Sequence, residues 1–409
     1  MSDFNRTDAI VSALSPELKE MASFIHANPE LGHEEYKAYE AQLALLKKYG
    51  FVMYKGYCGY ETAYKATYEG GKKGPTVAFL AEYDALPEIG HGCGHNLIAM
   101  VSVGAGIALR EFTDKYGGRI YVIGTPAEET EGAKVRMAEE GVFDDVDVVM
   151  MAHPMNENAD SFNSMALKSL KFKFYGKASH AATAPEAGIN ALDAVINMFN
   201  MVNALRQQIK PEARIHGVIK NGGQAPNTIP DYTEADFNIR ANKCAYRDVL
   251  TRKVVDCAEG SALGAGCRMD VQPFDCDFKD TMGNQHLADL IRDNMKSIGL
   301  ILRSSNSESA AGSSDLGDVS HVCPSIQCLF DITDGTGLQL HTVEFAECAG
   351  SDQAMERGIA FIKGLVLTSI ELMRNPQHLR EVKAEFVQVK KQAIECESGK
   401  DGQYAFRSK

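Results

Sequence analysis

Long apolar runs are missing from this chain of 409 residues, and no segment approaches the roughly 18 apolar residues that a membrane-spanning helix needs. Residues 1–20 are polar and amphipathic and contain no apolar core of a secretion signal. The ten cysteines lack the spacing of a compact disulfide framework, so we interpret them as free thiols of a reducing compartment. These absences predict a cytoplasmic protein that does not enter a membrane.

Basic charge is also scarce, with 42 lysines and arginines against 55 acidic residues and a net charge of -13. Nucleic acids and anionic membranes both require a basic surface, so neither is expected as a partner. A local basic pocket for an anionic small-molecule substrate stays compatible with this charge. The length predicts two domains.

Residues 75–96 carry the strongest chemical signal. The apolar run over residues 76–81 is typical of a buried central strand. A glycine-rich loop then places His91, Cys93 and His95 close together in sequence. Thiolate and imidazole groups are ligands for transition metals. The alternative is a buried cysteine and two hydrogen-bonded histidines in a tight turn, and this segment alone leaves it open.

Polar groups follow the carboxyl ends of three successive predicted strands. The strands cover residues 76–81, 119–124 and 146–152, and the groups are Cys93 with His95, Glu128 with Glu129, and His153. Because the carboxyl ends of parallel strands meet at one edge of a sheet, these side chains are expected to converge. Taken singly, the glutamates could form a solvated turn and the last histidine could belong to the core. Together they predict a metal site.

The order of predicted elements indicates an α/β fold with a mainly parallel sheet flanked by helices. Residues 168–279 have the β-α-β-β-α-β order of a ferredoxin-like α+β domain. We therefore predict one domain in two parts, residues 1–167 and 280–409, with the ferredoxin-like domain inserted between them. A helix is also expected over residues 16–27, with Pro16 in its first turn.

Eight short motifs occur along the chain, each weak alone but specific as an ordered set. They are Asn28-Pro29-Glu30-Leu31, Asp84-Ala85-Leu86-Pro87, GHGCGHNL at residues 90–97, Pro126-Ala127-Glu128-Glu129, GKASH at 176–180, PNTIPD at 226–231, GSSD at 312–315 and HTVEF at 341–345. The set resembles the aminoacylase/carboxypeptidase-G-type dinuclear metallopeptidases over nearly the whole chain. The closest branch contains p-aminobenzoyl-glutamate hydrolases, auxin-conjugate hydrolases and Xaa-Arg dipeptidase-like proteins.

The resemblance implies a catalytic centre with two divalent ions, Zn or Mn. The implied metal ligands are Cys93, His95, Glu129, His153 and His341. Glu128 would be the general base, because its carboxylate must stay free to move a proton while its neighbour binds metal. Two such ions activate water at neutral pH and stabilise the oxyanion of amide hydrolysis. Asp84 is expected to orient an imidazole ligand, or else to cap the turn before Pro87.

For the inserted domain the resemblance implies a lid and dimerisation role, and hence a homodimer. It assigns oxyanion stabilisation to His180, acting in the site of a dimer mate, and substrate binding to Asn227 and Arg240. An arginine fork suits a substrate carboxylate because it binds both oxygens. The sequence alone would equally allow His180 as a surface histidine and Arg240 as an ion-paired residue of an edge strand.

Two alternatives concern the cysteine and the metal. Cys93 could be a nucleophile with His95 as its base, but neighbours in one loop give poor geometry and no third orienting group is evident. A purely structural zinc site is disfavoured by the mixed histidine and carboxylate ligands. His91 is left outside the ligand set.

One motif departs from most of the branch. His95 is followed by Asn96, Leu97 and Ile98, where most members have an aspartate and then a second histidine. The p-aminobenzoyl-glutamate hydrolase-like and dipeptidase subgroup is similar here, which puts auxin-conjugate or hippurate specificity in doubt. We expect a metal-dependent amidohydrolase or dipeptidase that releases an amino acid from an N-acyl or aminoacyl conjugate. The alternative is a non-catalytic subunit or small-molecule-binding protein of the same fold, which should have lost Glu128 or a ligand.

Overall fold

The computed structural model describes residues 1–305 and 312–398, without the side chains of residues 395–398. These residues fall into two compact units. The first contains Met1–Asn163 with residues 281–305 and 314–393, and the second contains Ser164–Asp280 with residues 312–313 and 394–398. The predicted inserted segment, 168–279, lies inside the second unit.

Helices and strands alternate along most of the first unit. The helices of the described chain are α1 (Asp3–Ala27), α2 (Tyr36–Lys48), α3 (His95–Tyr116), α4 (Ala133–Glu139), α5 (Ala191–Leu205), α6 (Cys244–Ala265), α7 (Gln285–Ser297), α8 (Leu316–Ser320), α9 (Val343–Ala349), α10 (Asp352–Arg374) and α11 (Pro376–Ser398), with short 3-10 helices at Tyr57–Gly59, Pro185–Ala187 and Arg206–Gln208. The strands are β1 (Val52–Lys55), β2 (Tyr64–Glu69), β3 (Thr76–Ala81), β4 (Arg119–Gly124), β5 (Val148–Met155), β6 (Ala166–Tyr175), β7 (Arg214–Asn221), β8 (Tyr232–Ala241), β9 (Arg268–Pro273) and β10 (Ser325–Asp331).

The sheet of the first unit has the order β1-β2-β4-β3-β5-β10. Strands β4, β3, β5 and β10 run parallel, while β1 and β2 add an antiparallel edge. Every residue of β3 is buried. Phe79 packs into one hydrophobic cluster and Leu80 into another, so the sheet is covered on both faces. The mainly parallel α/β fold and its central strand are therefore confirmed.

The second unit is built on an antiparallel sheet with the order β7-β8-β6-β9. Along the chain its elements read β6-α5-β7-β8-α6-β9, the split arrangement of a ferredoxin-like domain. Phe172 and Phe174 alternate along β6 and enter one core with residues of α5 and α6, including Val195 and Val254. The two helices therefore cover one face of this sheet.

The predicted start of the first helix is wrong. α1 begins at Asp3, where the hydroxyl of Ser2 accepts the backbone N–H of Asn5 at 3.2 Å, and Pro16 lies inside the helix. Buried residues continue past the proline, from Val11 to Ile25, because this face packs against α3 and α10. Within residues 1–305 and 312–398, no helix combines the length and the apolar character that crossing a membrane requires.

Candidate metal centre

The loop after β3 brings Cys93 and His95 against the end of β5. Gly94 has a φ of +78°, and a Cβ at this position would lie 2.5 Å from Cγ of Pro154. Only glycine therefore permits this approach. His153 was expected after its strand but lies inside β5, and its Nε2 is 3.5 Å from Sγ of Cys93. Nδ1 of His153 is 2.6 Å from the carbonyl oxygen of Pro154, which fixes the ring.

Asp84 links two of the proposed ligands. Its Oδ1 is 3.0 Å from Nδ1 of His95, and its Oδ2 accepts the backbone N–H of Glu129 at 2.9 Å. Burial would raise the pKa of Asp84, but the adjacent His95 holds it below the usual value. Asp84 is therefore placed where a residue that orients an imidazole ligand would be.

The two glutamates leave β4 through a strained turn. Ala127 has a φ of 59°, and its N–H donates to the buried carboxylate of Glu35 at 2.8 Å. Oε1 of Glu129 then lies 3.3 Å from Nε2 of His341, and Oε2 of Glu128 lies 3.9 Å from Nε2 of His95. The turn thus presents both carboxylates to the same histidine-rich region.

Donor atoms within 4.8 Å of one another form three groups around this point. The groups are Cys93 with His95 and His153, Cys93 with Glu129 and His341, and Glu82 with His95 and Glu128. Cys93 is common to the first two, which is the arrangement expected of two neighbouring metal positions. Nε2 of His95 is buried and makes no hydrogen bond with the part of the chain that the structure describes, although Oε2 of Glu82 is 3.4 Å away. A buried, unpartnered imidazole nitrogen among thiol and carboxylate groups fits a metal ion.

Protonation of the acidic groups differs sharply from one residue to the next. Burial raises the pKa of Glu128 well above its usual value, and the charges of Glu82 and Glu129 raise it further. Burial would also raise the pKa of Glu129, but the contact with His341 lowers it. For the Cys93 thiol, burial raises the pKa well above the usual value. A thiolate at this position therefore needs a nearby cation, which disfavours an unassisted cysteine nucleophile.

A buried lysine in contact with Glu82 is not among the residues that the sequence predicts for the site. Nζ of Lys134, at the start of α4, lies 2.7 Å from Oε1 of Glu82 and 2.6 Å from Oδ1 of Asp315. All three side chains are almost completely inaccessible to solvent. Burial would lower the pKa of Lys134, but the two carboxylates raise it, while burial raises the pKa of Asp315 to about 6. The motif ending in Asp315 was a signal for part of this triad, but nothing in the sequence pairs it with Lys134.

His91 is separate from the donor groups. Its buried Nε2 is 3.1 Å from the carbonyl oxygen of Ile25, and its ring stacks near His26. Burial lowers the pKa of His91 to about 3, so the ring is neutral at physiological pH. Its exclusion from the predicted ligand set agrees with this position.

The remaining predicted residues belong to the second unit. His180 is exposed in a turn, and its Nδ1 accepts the backbone N–H groups of Ala182 and Thr183, each at 3.2 Å. The carbonyl oxygen of Asn227 accepts the backbone N–H that follows His180 at 2.9 Å. Arg240, near the end of β8, donates to the hydroxyl of Ser313 at 2.7 Å. His180 and Asn227 are therefore neighbours. Arg240 contacts a different residue of this unit, Ser313.

Comparison with known proteins identifies the family. Residues 164–264 match the peptidase dimerisation domain of the M20 family. A solved dinuclear metal-binding peptidase of the M20 family from Bacillus subtilis has the same fold, with a TM-score of 0.65, 18% identity and coverage of 88% of this chain and 99% of that one. The Xaa-Arg dipeptidase of Mus musculus is 38% identical over 88% of this chain and 87% of its own length. The chain belongs to the M20 peptidase family.

Membership of the M20 family also establishes the class of reaction. M20 proteins similar to this chain are hydrolases and peptidases, and this M20 chain is a metal-dependent amidohydrolase that carries the family's dimerisation domain. A further relative, one of the polypeptides of the p-aminobenzoyl-glutamate hydrolase of Escherichia coli, is 34% identical over 64% of this chain and 60% of its own length. The predicted family and reaction class are thereby confirmed.

Proposed function

We propose that this M20 enzyme is a dipeptidase that hydrolyses the amide bond of aminoacyl conjugates, with dipeptides ending in a basic residue as its substrates. The substrate class is supported by two relatives named Xaa-Arg dipeptidase, at 38% and 34% identity over 88% and 93% of this chain. The observation that carries the catalytic assignment is that Cys93 is shared by two groups of donor atoms at the end of parallel strands.

The same geometry supports a set of two divalent ions, Zn or Mn. The residues that would hold them are Cys93, His95, Glu129, His153 and His341. When bound, such ions lower the pKa of water and polarise a carbonyl group. A thiolate ligand favours Zn, whereas imidazole and carboxylate groups also accept Mn.

Each remaining side chain has a separate task in this proposal. Glu128, whose mostly buried carboxylate lies 3.9 Å from Nε2 of His95, takes a proton from the attacking water and passes it to the leaving amine. Asp84 keeps the proton on Nδ1 of His95, so that Nε2 presents a lone pair. We further propose that Nε2–H of His180 stabilises the oxyanion, since Nδ1 is already occupied by two backbone donors.

Substrate binding is assigned to Asn227 and Arg240, whose guanidinium group suits a carboxylate of the substrate. The dimerisation domain matched at residues 164–264 supports a homodimer, with residues 168–279 as its inserted lid and dimerisation domain. A cytoplasmic location, inferred from the spacing of the cysteines, stays a prediction.

Metal removal and reloading would test the proposal. The protein is treated with a chelator, reloaded with Zn or Mn, and given dipeptides ending in arginine, lysine or glutamate, acetyl-amino acids and p-aminobenzoyl-glutamate. We expect release of arginine and lysine that stops with the chelator and returns with metal. Release only from p-aminobenzoyl-glutamate would mean that the substrate is an N-aroyl amino acid and not a dipeptide with a basic end. No release from any compound by the metal-loaded protein would support the binding-protein alternative.

A further inference from the structure

A second cluster of metal-binding side chains lies where α7 meets α11, apart from the strands that carry the catalytic groups. Nε2 of His286 lies 3.0 Å from Oε2 of Glu381 and 3.1 Å from Nδ1 of His378. The third side of this triangle, from Nδ1 of His378 to Oε2 of Glu381, is 3.8 Å. Three donor atoms of different side chains therefore face a common point.

These separations match the size of a metal ion's coordination shell. Zinc binds imidazole nitrogen and carboxylate oxygen at about 2.0–2.2 Å, which places tetrahedral ligands about 3.3–3.5 Å apart. The distances of 3.0, 3.1 and 3.8 Å between the three donor atoms bracket this range. Two imidazoles with one carboxylate form a ligand set that zinc accepts, with a fourth position left for water. The side chains of His286, His378 and Glu381 are 28%, 26% and 42% exposed, so an ion can enter from solvent.

Neighbouring groups hold two of the three donors in position. Oε1 of Glu381 accepts from the amide of Gln377 at 2.7 Å, which leaves Oε2 directed at the imidazoles. Nε2 of His378 lies 3.7 Å from Glu371, and that carboxylate is itself held by Arg374 at 3.0 Å. A carboxylate behind a ligating histidine is the usual second layer of a zinc site.

The backbone beneath the cluster is fixed as well. Glu385 of α11 accepts the N–H groups of Gln285 and His286 at 2.8 and 2.9 Å, which joins it to the first turn of α7. The amide of Asn284 donates to the carbonyl oxygen of Val382 at 2.8 Å. Because the helices are already joined, an ion would not have to assemble the site, and ordering costs little on binding.

We propose that His286, His378 and Glu381 form a site for a first-row divalent metal ion, with Zn²⁺ as the best fit, that fastens α11 to α7. The site is independent of the proposed substrate and of the catalytic centre. An ion there replaces the proton that otherwise bridges the two imidazoles.

Counting bound zinc tests this proposal directly. The full chain is dialysed against Zn²⁺, and zinc per chain is measured for the natural protein, a His286→Ala/His378→Ala variant and a Gln285→Ala control. Gln285 lies on the same turn of α7 and contributes no donor to the cluster. We expect one zinc fewer in the double variant, unchanged zinc in the control, and equal amidohydrolase activity in all three.

A milder variant tests the site even if the double variant does not fold. Glu381→Gln keeps the side-chain size but replaces a carboxylate ligand with a neutral amide. The affinity of this site for zinc should therefore fall by about tenfold or more, while zinc at the catalytic centre stays bound. Thermal unfolding should also show a smaller zinc-induced rise in Tm for both variants than for the control. Equal zinc content and equal Tm shifts in the natural protein, the variants and the control would overturn the proposal.

Discussion

Oδ1 of Asp84 lies 3.0 Å from Nδ1 of His95, deep inside the first unit. The other carboxylate oxygen accepts the backbone N–H of Glu129 at 2.9 Å. One side chain thus contacts both an imidazole at the start of α3 and the turn after β4. Neither contact can be replaced by solvent, because Asp84 is buried.

Replacing Asp84 with asparagine should weaken metal binding without unfolding the protein. The amide has one acceptor oxygen, so it can serve His95 or the N–H of Glu129, but not both. Loss of such a supporting contact typically costs 10- to 100-fold in metal affinity, about the size we expect. Titration with Zn²⁺ or Mn²⁺ measures this affinity. The control is Asp8→Asn, because Asp8 is an exposed aspartate that pairs with Lys363. Unchanged affinity in Asp84→Asn would refute the orienting role.

Substitution of Glu128 should lower turnover, whereas substitution of His153 should lower metal binding. Glu128→Gln keeps the shape of the side chain but cannot accept a proton, so turnover should fall by about 10²- to 10⁴-fold while bound metal is retained. His153→Ala removes a donor 3.5 Å from Cys93 and should lower the metal content itself. Metal per chain and amino-acid release, measured on the same samples, separate the two effects. Full turnover by the Glu128→Gln variant would show that Glu128 is not the general base.

The sequence contains most of the information that positions this centre. The bounds of strand β3 agree with the prediction, because Thr76 and the five apolar residues after it stand between a glycine-proline pair and Glu82. The order of strands and helices predicts Cys93, Glu129 and His153 at one edge, since strands joined through helices run parallel and their carboxyl ends meet at the same edge of the sheet. Local pattern and general topology are sufficient to predict that Glu129 and His153 each lie close to Cys93.

The features that the sequence does not predict depend on contacts between residues that are far apart along the chain. Lys134 and Asp315 are 181 positions apart, and no local pattern links a lysine at the start of a short helix to an aspartate in a later loop. The predicted start of α1 is wrong for a related reason. Pro16 indicates a helix start locally, but packing of residues from Val11 to Ile25 continues the helix through it.

Lys134 should be essential for stability because two buried carboxylates depend on it. Lys134→Met removes the cation that lies 2.7 Å from Glu82 and 2.6 Å from Asp315. Breaking a buried ion pair in this way typically costs about 3–5 kcal/mol in free energy of unfolding, which urea denaturation would detect. Lys363→Met, which removes a surface partner of Asp8, should cost less than about 1 kcal/mol.

A second substitution shows whether charge is the cause. Adding Asp315→Asn to Lys134→Met removes one of the two uncompensated carboxylates, so part of the lost stability should return. A double variant less stable than Lys134→Met would instead mean that the hydrogen bonds of Asp315, including the one it accepts from the backbone N–H of Lys134 at 3.1 Å, matter more than its charge.

Mixed dimers should reveal which protomer supplies His180. If the chain forms the proposed homodimer, Glu128→Gln and His180→Ala should each abolish its activity when the two residues act in one reaction. When His180 serves the site of its dimer mate, a mixed dimer joins an intact Glu128 from one chain with an intact His180 from the other, and about one of its two sites regains activity. The two inactive variants are mixed, allowed to exchange protomers, and assayed for amino-acid release against each variant alone. Recovered activity supports action across the dimer. Differently tagged chains verify that protomers have exchanged. If they have exchanged and no activity returns, His180 acts within its own protomer or has no part in the reaction. The activity of His180→Ala alone decides between these two possibilities.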